Sequence, residues 1–363
     1  MNIALVGSAG RCGIYEYSQV LLEGFRALGH QARYIGVQRH DNRDLARCMR
    51  QVKDDDQVVI LEYEPGIFWL GGLVRAMAWL RFWRRKRIVL SVHEIAPEKY
   101  PEFRQVQWHM ARPPSQRGLL EVLRIPLCTA DVAWRFLTLR VGLLLMGWLP
   151  HVVLVHSPQA AQNIRLALAT DRKVRYVPLV VKRLEGNRDQ LRRGLGLPED
   201  CFAFIIPGFL FRRKQITTVI EQLPSNAELW VVGTESEHDP GYLAEIESYL
   251  AQSENREHVR LVHDYDRMEQ YLLAADAAVF YYADIYQSAS ASLAIGAGKP
   301  CIFSDLPGFS DLWEAGLIVR TPAELGEAML RIQEDSTYTR LVQHAQNLRQ
   351  QLAPAQIAKA YLL

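Results

Sequence analysis

Residues 271–305 read YLLAADAAVFYYADIYQSASASLAIGAGKPCIFSD, and this stretch carries the pattern that decides the fold. It predicts a helix, a buried strand at Ala277–Tyr282, a loop, a helix that opens near Ser288, and a second strand at Cys301–Ser304. Short apolar runs joined by helical segments are typical of parallel sheets covered by helices. A loop that leads from such a strand into a helix N-terminus is a common place for a phosphate.

The residues at this helix start are small, which leaves two interpretations open. Asp284 and Gln287 precede Ser288, Ala289 and Ser290, whose small side chains would let an anion approach the N–H groups of the first turn. An ordinary strand–helix–strand crossover packed with small residues gives the same pattern. Local sequence alone does not separate the phosphate site from the crossover.

The same alternation continues through the rest of the chain. Further strands are predicted at Asn2–Val6, Ala32–Val37, Val58–Glu62, Arg87–Val92, Val152–His156, Val174–Val177, Phe202–Ile206, Glu228–Val232 and His258–Val262. A chain of 363 residues fits two domains of roughly 150–200 residues each. The predicted fold class is therefore α/β, with two Rossmann-like parallel-sheet domains.

Composition separates the two halves of the chain and excludes some classes of protein. Residues 1–180 hold 25 lysines and arginines against 15 acidic residues, whereas the remainder holds 17 against 25. The basic half favours an anionic partner, either nucleic acid or an anionic membrane. The five scattered cysteines form no C-x-x-C pair, so we expect a reducing cytoplasm and no zinc site. The start MNIALVGSAG predicts no signal peptide.

The order D-A-A-V-F-Y-Y, Q-S-A-S and L-A-I-G-A-G-K-P in residues 276–300 resembles the donor-binding segment of GT-B glycosyltransferases, especially the retaining group called family 4. The resemblance implies a nucleotide-diphosphate sugar as substrate, no cofactor and no bound metal. It also implies an acceptor- and membrane-facing domain at 1–180, a nucleotide-sugar domain at 181–340, and a helix at 341–363 that returns to the first domain. A plain terminal helix of the second domain is the other interpretation of the last stretch.

Three adjacent cations, Arg212, Arg213 and Lys214, follow the predicted strand Phe202–Ile206. Cations at a helix start oppose the helix dipole, so they favour a bound anion. A solvated basic turn is the alternative. The segment resembles the family motif G-x-[LI]-x-x-x-K-G, whose lysine binds the diphosphate, and Lys214 matches it. Phe209 stands where the family has an arginine, and we expect Arg212 or Arg213 to replace it.

A loop that follows the first predicted strand contains three glycines, Gly7, Gly10 and Gly13. Its spacing is not G-x-G-x-x-G, and Gln38 stands near the place where a NAD site has an acidic residue, so a dehydrogenase is disfavoured. The loop resembles the family turn at which the backbone approaches donor phosphate and acceptor. Gly13 is the position that the resemblance assigns to the donor.

His93 and Glu94 follow the strand Arg87–Val92 at the edge where parallel sheets hold their ligands. An imidazole there can donate to a sugar hydroxyl or to a leaving phosphate, and a structural cap is the alternative. The family has a histidine near the transferred sugar at this place, so the resemblance makes His93 and Glu94 the catalytic candidates. Glu62 and Glu64 end another strand and are acceptor-side candidates.

The sequence departs from the family at its pair of glutamates. Alignment on Gly298-Lys299-Pro300 puts Leu293 at the second glutamate, which holds the nucleotide ribose in the family, and Ile285 at the first, beside Asp284. The departure leaves the nucleotide open. It also leaves a catalytically degenerate sugar-nucleotide binder as an alternative to the enzyme.

Two segments predict contact with a membrane surface. Residues 68–87 interleave cations with tryptophans and contain no acid, and residues 133–149 are strongly apolar with two arginines. Aromatic residues and arginines beside apolar ones suit the headgroup region of an anionic membrane. A buried helix is the alternative, and no nucleic-acid motif is present. Together with these segments, the resemblance implies a peripheral cytoplasmic glycosyltransferase that acts on a lipid-linked or envelope glycan, with retention. A membrane-associated scaffold is the other class.

Overall fold

The computed structural model describes residues 1–10, 12–65, 67–93, 137–168, 173–237, 239–285 and 287–363. These residues divide into two compact units. The first holds Met1–Pro178 together with Ile357–Leu363, and the second holds Leu179–Gln356. Each unit is built on a parallel sheet of six strands. The α/β fold class with two Rossmann-like domains is therefore confirmed.

The sheet of the first unit has the order β2-β1-β3-β4-β5-β6. Its strands are β1 Asn2–Ser8, β2 Gln31–Val37, β3 Val58–Tyr63, β4 Arg87–Val92, β5 Val152–Val155 and β6 Val174–Tyr176. The described helices of this unit are Gly13–Ala27, Asn42–Met49, Leu70–Phe82, 137–148 and Pro158–Leu168, joined by the last helix, Pro354–Leu362. All six residues of β3 are buried, as expected for a strand that helices cover on both faces.

The sheet of the second unit has the order β12-β11-β10-β7-β8-β9. Its strands are β7 Phe202–Pro207, β8 Ala227–Val232, β9 Val259–Val262, β10 Ala277–Phe280, β11 Cys301–Ser304 and β12 Gly316–Val319. Its described helices are Arg188–Leu195, Ile216–Glu221, Tyr242–Gln252, Met268–Ala274, Ala289–Gly296, Pro322–Arg331 and Asp335–Gln351, with 3-10 turns at Arg212–Lys214, Arg256–His258 and Pro307–Ala315. The sequence patterns predicted every strand of this sheet except β12.

Local sequence sets where several helices begin. Asn187 caps the helix Arg188–Leu195 by accepting a hydrogen bond from the N–H of Gln190. Thr321 caps the helix Pro322–Arg331 in the same way. Proline suits the first helical position because it has no N–H to satisfy there.

The end of the chain divides between the two units. Helix Asp335–Gln351 packs on the segment Pro307–Ala315 of the second unit. Pro354 then starts a new helix, and Ile357–Leu363 belong to the first unit. Residues 341–356 thus belong to the second unit and residues 357–363 to the first.

Candidate functional site

In the second unit, the turn that follows β7 brings a buried lysine beside a glycine. Lys214 is 4% exposed, and its Nζ donates to the carbonyl of Pro207 at 2.7 Å. Gly208 has φ +92°, a left-handed conformation that favours glycine. A Cβ at Gly208 would lie 2.6 Å from Oγ of Ser290 and 3.5 Å from Nζ of Lys214. Gly208, Lys214 and Ser290 therefore meet at the carboxyl edge of this sheet.

No carboxylate among the described residues balances the charge of Lys214. Burial, and to a lesser extent the nearby Arg213, lowers the pKa of Lys214 from 10.5 to about 7. The other neighbour that the ammonium meets is the ring of Tyr282, 5.8 Å from Nζ to the ring centroid. A buried cation without a counter-charge is costly. An anion bound here would remove that cost.

The two arginines beside Lys214 have different surroundings, and the difference favours Arg213 as the one available to a ligand. Arg212 forms ion pairs with Asp239 and Glu245, so its charge is already neutralised. Arg213 is exposed and lies over the ring of Phe211 at 4.7 Å, and it has no ion pair with any residue that the structure describes. The backbone carbonyl of Arg213 accepts from the N–H of Ala283, which ties this turn to the loop after β10.

The helix Ala289–Gly296 begins next to this turn. Its cap, Ser288, is buried, and Oγ of Ser288 accepts from the N–H of Ala291 at 3.2 Å. The N–H groups of Ala289 and Ser290 have no hydrogen-bond partner among the described residues. The first N–H groups of a helix carry the positive end of its dipole and are suited to an anion.

Gln287 and Asp284 lie in the loop before this helix. Nε2 of Gln287 is buried and has no hydrogen-bond partner in the described part of the chain, which is unusual for an amide donor. Asp284 is exposed, and Leu293, at the place of the family's ribose-binding glutamate, is partly buried. The structure thus brings Lys214, Gln287, Ser288, Ala289 and Ser290 into one region of the second unit.

In the first unit, a second cluster forms because strand register puts four polar residues on one face of the sheet. Glu62 on β3 pairs in register with Ser91 on β4, and Ser91 pairs with Leu154 on β5. Side chains two residues apart along a strand share a face. His93 and His156 therefore lie on the same face as Glu62 and Ser91.

Glu62, rather than a residue next in sequence, is the hydrogen-bond partner of His93. Oε2 of Glu62 lies 2.7 Å from Nε2 of His93. Glu62 is fully buried, and its Oε1 has no hydrogen-bond partner in the described structure. The expectation that Glu94 takes part at this place concerns a residue outside the described part of the chain.

A chain of hydrogen bonds continues from His156. Nδ1 of His156 faces the carbonyl of Val177 at 2.9 Å, so this nitrogen carries the hydrogen. Burial, and then the nearby His93, lowers the pKa of His156 well below its usual range, so the ring is neutral and its Nε2 accepts from Ser91 at 2.8 Å. Ser91 in turn accepts from Tyr361 at 3.0 Å, and Tyr361 accepts from Tyr17 at 2.6 Å. The last helix is tied to the sheet through this chain.

Ligand atoms of Glu62, His93 and His156 lie within 4.8 Å of one another, close enough to be considered for a metal ion. As they stand, these atoms bond to protein groups. Nε2 of His156 accepts from Ser91, and Nε2 of His93 bonds to Glu62. Hydrogen bonds within the protein therefore account for most of the arrangement.

The glycine loop of the first unit is shaped by Tyr34. The hydroxyl of Tyr34 donates to the carbonyl of Ser8 at 2.7 Å, and a Cβ at Gly7 would lie 2.6 Å from that hydroxyl oxygen. Glycine at position 7 is thus required by packing. A Cβ at Gly13 meets no heavy atom within 4 Å. Packing in this unit therefore does not require glycine at position 13, which stays a predicted donor-binding position.

Comparison with known proteins gives the same architecture. Residues 207–335 match the family model of glycosyl transferases group 1, and this range contains the whole Lys214 region. None of the curated proteins compared with the chain matches it in sequence.

Solved structures of glycosyltransferases are similar to the whole chain. Anabaena Alr3699/HepE in complex with UDP-glucose has a TM-score of 0.72 and 14% identity, over 100% of this chain and 98% of that chain. Sucrose-phosphate synthase from Thermosynechococcus elongatus has a TM-score of 0.65 and 17% identity, over 99% and 97%. The catalytic domain of starch synthase IV from Arabidopsis thaliana, bound to ADP and acarbose, has a TM-score of 0.65 and 11% identity, over 100% and 99%. The chain has the GT-B fold.

Proposed function

We propose that this chain is a glycosyltransferase that transfers a sugar from a nucleotide diphosphate to a hydroxyl of a lipid-linked or envelope glycan. The observation that carries the proposal is the buried ammonium of Lys214, which has no carboxylate partner in the part of the chain that the structure describes and lies within the range that matches group 1 glycosyltransferases. A diphosphate leaving group supplies the negative charge that this position lacks. Electrostatic stabilisation of the leaving group is expected to dominate such a reaction.

The donor site that we propose uses charges and N–H groups of the second unit. Lys214 and the exposed Arg213 neutralise the diphosphate. The unpartnered N–H groups of Ala289 and Ser290 hold its oxygens at the positive end of the helix dipole. The unsatisfied amide of Gln287 donates to the same ligand.

The finer parts of the proposal rest on the family resemblance. They are retention, hexosyl transfer, the absence of a bound metal, and the roles of Gly13, Asp284, His93 and Glu94. Among the similar solved structures, Anabaena Alr3699/HepE contains UDP or UDP-glucose and the starch synthase IV domain contains ADP, which makes these nucleotides the first to test.

A thermal-shift panel of UDP, GDP, ADP and their sugar forms tests the donor site. At a ligand concentration about 100-fold above Kd, a binding nucleotide stabilises by roughly 3 kcal/mol, which is several degrees in Tm. Lys214→Met removes the charge at similar volume and is expected to abolish the shift. Lys299→Met is the matched control, because Lys299 is a partly buried lysine that also donates to carbonyls, those of Leu273 and Ala275.

Variants of Arg212 and Arg213 make the thermal-shift panel more specific. Arg213→Gln is expected to weaken nucleotide binding about tenfold, the typical effect of losing one charge-assisted hydrogen bond. Arg212→Gln is expected to leave affinity nearly unchanged. A chain that no nucleotide stabilises, or a Lys214→Met variant that binds like wild type, would contradict the proposal and favour the scaffold.

A degenerate sugar-nucleotide binder is the second candidate, and Leu293 is the observation that favours it. An apolar side chain at this place cannot accept hydrogen bonds from ribose hydroxyls. The degenerate binder would be supported if the chain bound nucleotide but released no nucleotide from the sugar donor, either in water or with glycan acceptors.

We propose further that the first unit contacts an anionic membrane through an apolar surface. One side of helix 137–148 exposes four large apolar side chains, those of Leu137, Val141, Leu144 and Trp148. Trp83, which directly follows the helix Leu70–Phe82, is 76% exposed. Phe82 packs on Trp148 with ring centroids 6.0 Å apart. Large exposed apolar surface marks an interaction site. No described helix is long and apolar enough to span a membrane.

The cations of residues 68–87 divide between structure and surface. Lys86 is buried and donates to the carbonyl of Asp54, and Arg84 pairs with that residue's carboxylate. Arg81 donates to the carbonyl of Leu149. Arg75 and Arg85 are exposed. Each exposed cation near anionic lipid adds about 1 kcal/mol to binding.

An apolar groove of about 420 Å³ lies between the helix Leu70–Phe82 and helix 137–148, lined among others by Leu70, Val74 and Leu145. Its lining suits a hydrocarbon chain. The groove supports a lipid-linked acceptor over a free sugar as the second substrate.

Flotation with phosphatidylcholine vesicles, with and without phosphatidylglycerol, tests the membrane contact. Wild type is expected to float with the anionic vesicles, and the Trp83→Ser/Trp148→Ser variant to lose most of that binding. Leu330→Ser is the control, because Leu330 is 56% exposed on the second unit. Equal flotation of wild type and the tryptophan variant would contradict the proposal that this surface contacts the membrane.

A further inference from the structure

Glu62 is a buried carboxylate whose contacts connect it to His93. It is fully buried at the end of β3, and its Oε2 lies 2.7 Å from Nε2 of His93. Its Oε1 has no hydrogen-bond partner among the described residues. A buried carboxylate is costly unless it is paired, so the bond to His93 carries most of the compensation that the protein supplies.

We propose that Glu62 is a positioning residue that holds the His93 ring with hydrogen on Nε2 and thereby leaves Nδ1 to accept a hydrogen bond from a substrate hydroxyl. The inference rests on the proposed glycosyltransferase function for the identity of that hydroxyl. A carboxylate only accepts hydrogen bonds, so the ring nitrogen that faces it must carry the hydrogen. The second ring nitrogen of a neutral histidine is then an acceptor.

The other groups around His93 do not compete for this role. Burial lowers the pKa of His156 well below its usual range and raises the pKa values of Tyr17 and Tyr361 well above theirs, so all three are neutral near pH 7. Their hydrogen bonds form a separate chain that ends at the carbonyl of Val177. Among the described groups in this cluster, Glu62 is the one that both contacts His93 and can carry charge.

Packing fixes the ring as well. The ring of Tyr17 meets that of His93 edge-on, with centroids 5.0 Å apart, and the ring of His156 lies 4.8 Å away. The His93 side chain is only 11% exposed. The backbone N–H of His93 donates to the carbonyl of Tyr63 at 3.0 Å, which anchors the residue to β3. A ring held on several sides presents one nitrogen in one direction, which is the requirement for precise hydrogen bonding to substrate.

The tautomer of His93 tests the proposal without any substrate. Protein with ¹⁵N-labelled histidine is studied by long-range ¹H–¹⁵N spectra, which show the ring nitrogen that carries the hydrogen. We expect the neutral form of the His93 ring in wild type to carry its hydrogen on Nε2. Finding hydrogen on Nδ1 with a bare Nε2 would overturn the proposal, and this result needs no variant to fold.

Variants separate positioning from simple structural support. Glu62→Gln keeps the shape, but its amide can donate as well as accept, so a mixture of the two His93 tautomers is expected. The kcat for release of nucleotide from the sugar donor is expected to fall about 100-fold, with KM for the donor within about threefold of wild type. Asp56→Asn is the control, because Asp56 is a buried carboxylate next to the start of the same strand and pairs with Arg33. Asp56→Asn is expected to change neither the His93 tautomer nor the kcat for nucleotide release.

Three outcomes count against the proposal or distinguish it from the proposed function. An unchanged His93 spectrum in Glu62→Gln would overturn it. Stabilisation of wild type by added zinc chloride, lost in Glu62→Gln, would also overturn it, by making the cluster of Glu62, His93 and His156 a metal site. Absence of any nucleotide-induced thermal shift would contradict the glycosyltransferase proposal but would not affect the conclusion about the His93 tautomer.

Discussion

Each unit buries an ionisable side chain at the carboxyl edge of its sheet, but the two side chains differ in their partners among the described residues. In the first unit, Glu62 is fully buried and bonds to another ionisable side chain, His93, at 2.7 Å. In the second, Lys214 is 4% exposed and bonds to the neutral carbonyl of Pro207. The next cation in sequence, Arg213, adds repulsion to Lys214 rather than relief.

The difference teaches what each charge is for. A buried charge with a partner in the protein is held in place and holds its partner in place, which suits positioning. A buried charge without a partner destabilises the folded protein, and a bound anion would remove that destabilisation. We therefore assign ligand neutralisation to Lys214 and orientation of His93 to Glu62. Variants that change either charge test the comparison.

Lys214→Met is expected to have the largest effect on stability, and the size of the effect depends on pH. The folded protein lowers the pKa of Lys214 from 10.5 to about 7. Below pH 7 the lysine is protonated in both folded and unfolded states, so the full cost is present. Between pH 7 and 10.5 the unfolded state binds more protons, so wild type gains stability as pH rises. A shift of this size corresponds to at most roughly 5 kcal/mol.

Urea denaturation at several pH values measures this effect. At pH 6, without nucleotide, Lys214→Met is expected to be more stable than wild type by a few kcal/mol, and the advantage should shrink steadily towards alkaline pH. Lys299→Met calibrates the series, because burial lowers the pKa of Lys299 only to about 8. Its gain should have the same sign and be smaller. A Lys214→Met variant that is less stable than wild type at pH 6 would show that the ammonium is compensated after all.

Sequence patterns were sufficient for the architecture because buried parallel strands are runs of apolar residues. β4 and β11 have the bounds predicted for them, and the other predicted strands differ by one or two residues at their ends. β12 was missed. Its four residues, GLIV, directly follow the 3-10 segment Pro307–Ala315 and have no helix before them, so the strand–helix alternation gave no signal.

Side-chain partners were harder to predict, since they depend on register and on distant residues. Glu62 and His93 are 31 residues apart and meet because β3 and β4 pair with Glu62 opposite Ser91. Both residues were singled out at strand ends, but their bond requires the register. Arg212 and Arg213 are equivalent in sequence. Only the positions of Asp239 and Glu245, 27 and 33 residues from Arg212, show that its charge is already used.

The smallest effect that we predict concerns the chain Tyr17, Tyr361, Ser91 and His156, where every polar group is already satisfied. Tyr361 is the middle of this chain: its oxygen accepts from Tyr17 and its hydrogen is donated to Ser91. Tyr361→Phe leaves the buried Tyr17 hydroxyl without an acceptor, at a cost of about 1–3 kcal/mol. Tyr17→Phe removes only the donor at the end of the chain and is expected to cost less, about 0.5–1.5 kcal/mol.

The double variant makes this a test of direction. With both hydroxyls gone, no donor is left unsatisfied, so Tyr17→Phe/Tyr361→Phe is expected to be less destabilised than the sum of the two single variants, by about 1 kcal/mol in a double-mutant cycle. If Tyr17→Phe proved the more damaging single change, the hydrogen bonds would run the opposite way, from Ser91 towards Tyr17. His156 would then have to carry a hydrogen on Nε2 that faces Ser91, which a neutral ring with its other hydrogen on the Val177 carbonyl does not allow. The order of the two single-variant effects therefore also tests whether the buried His156 is neutral.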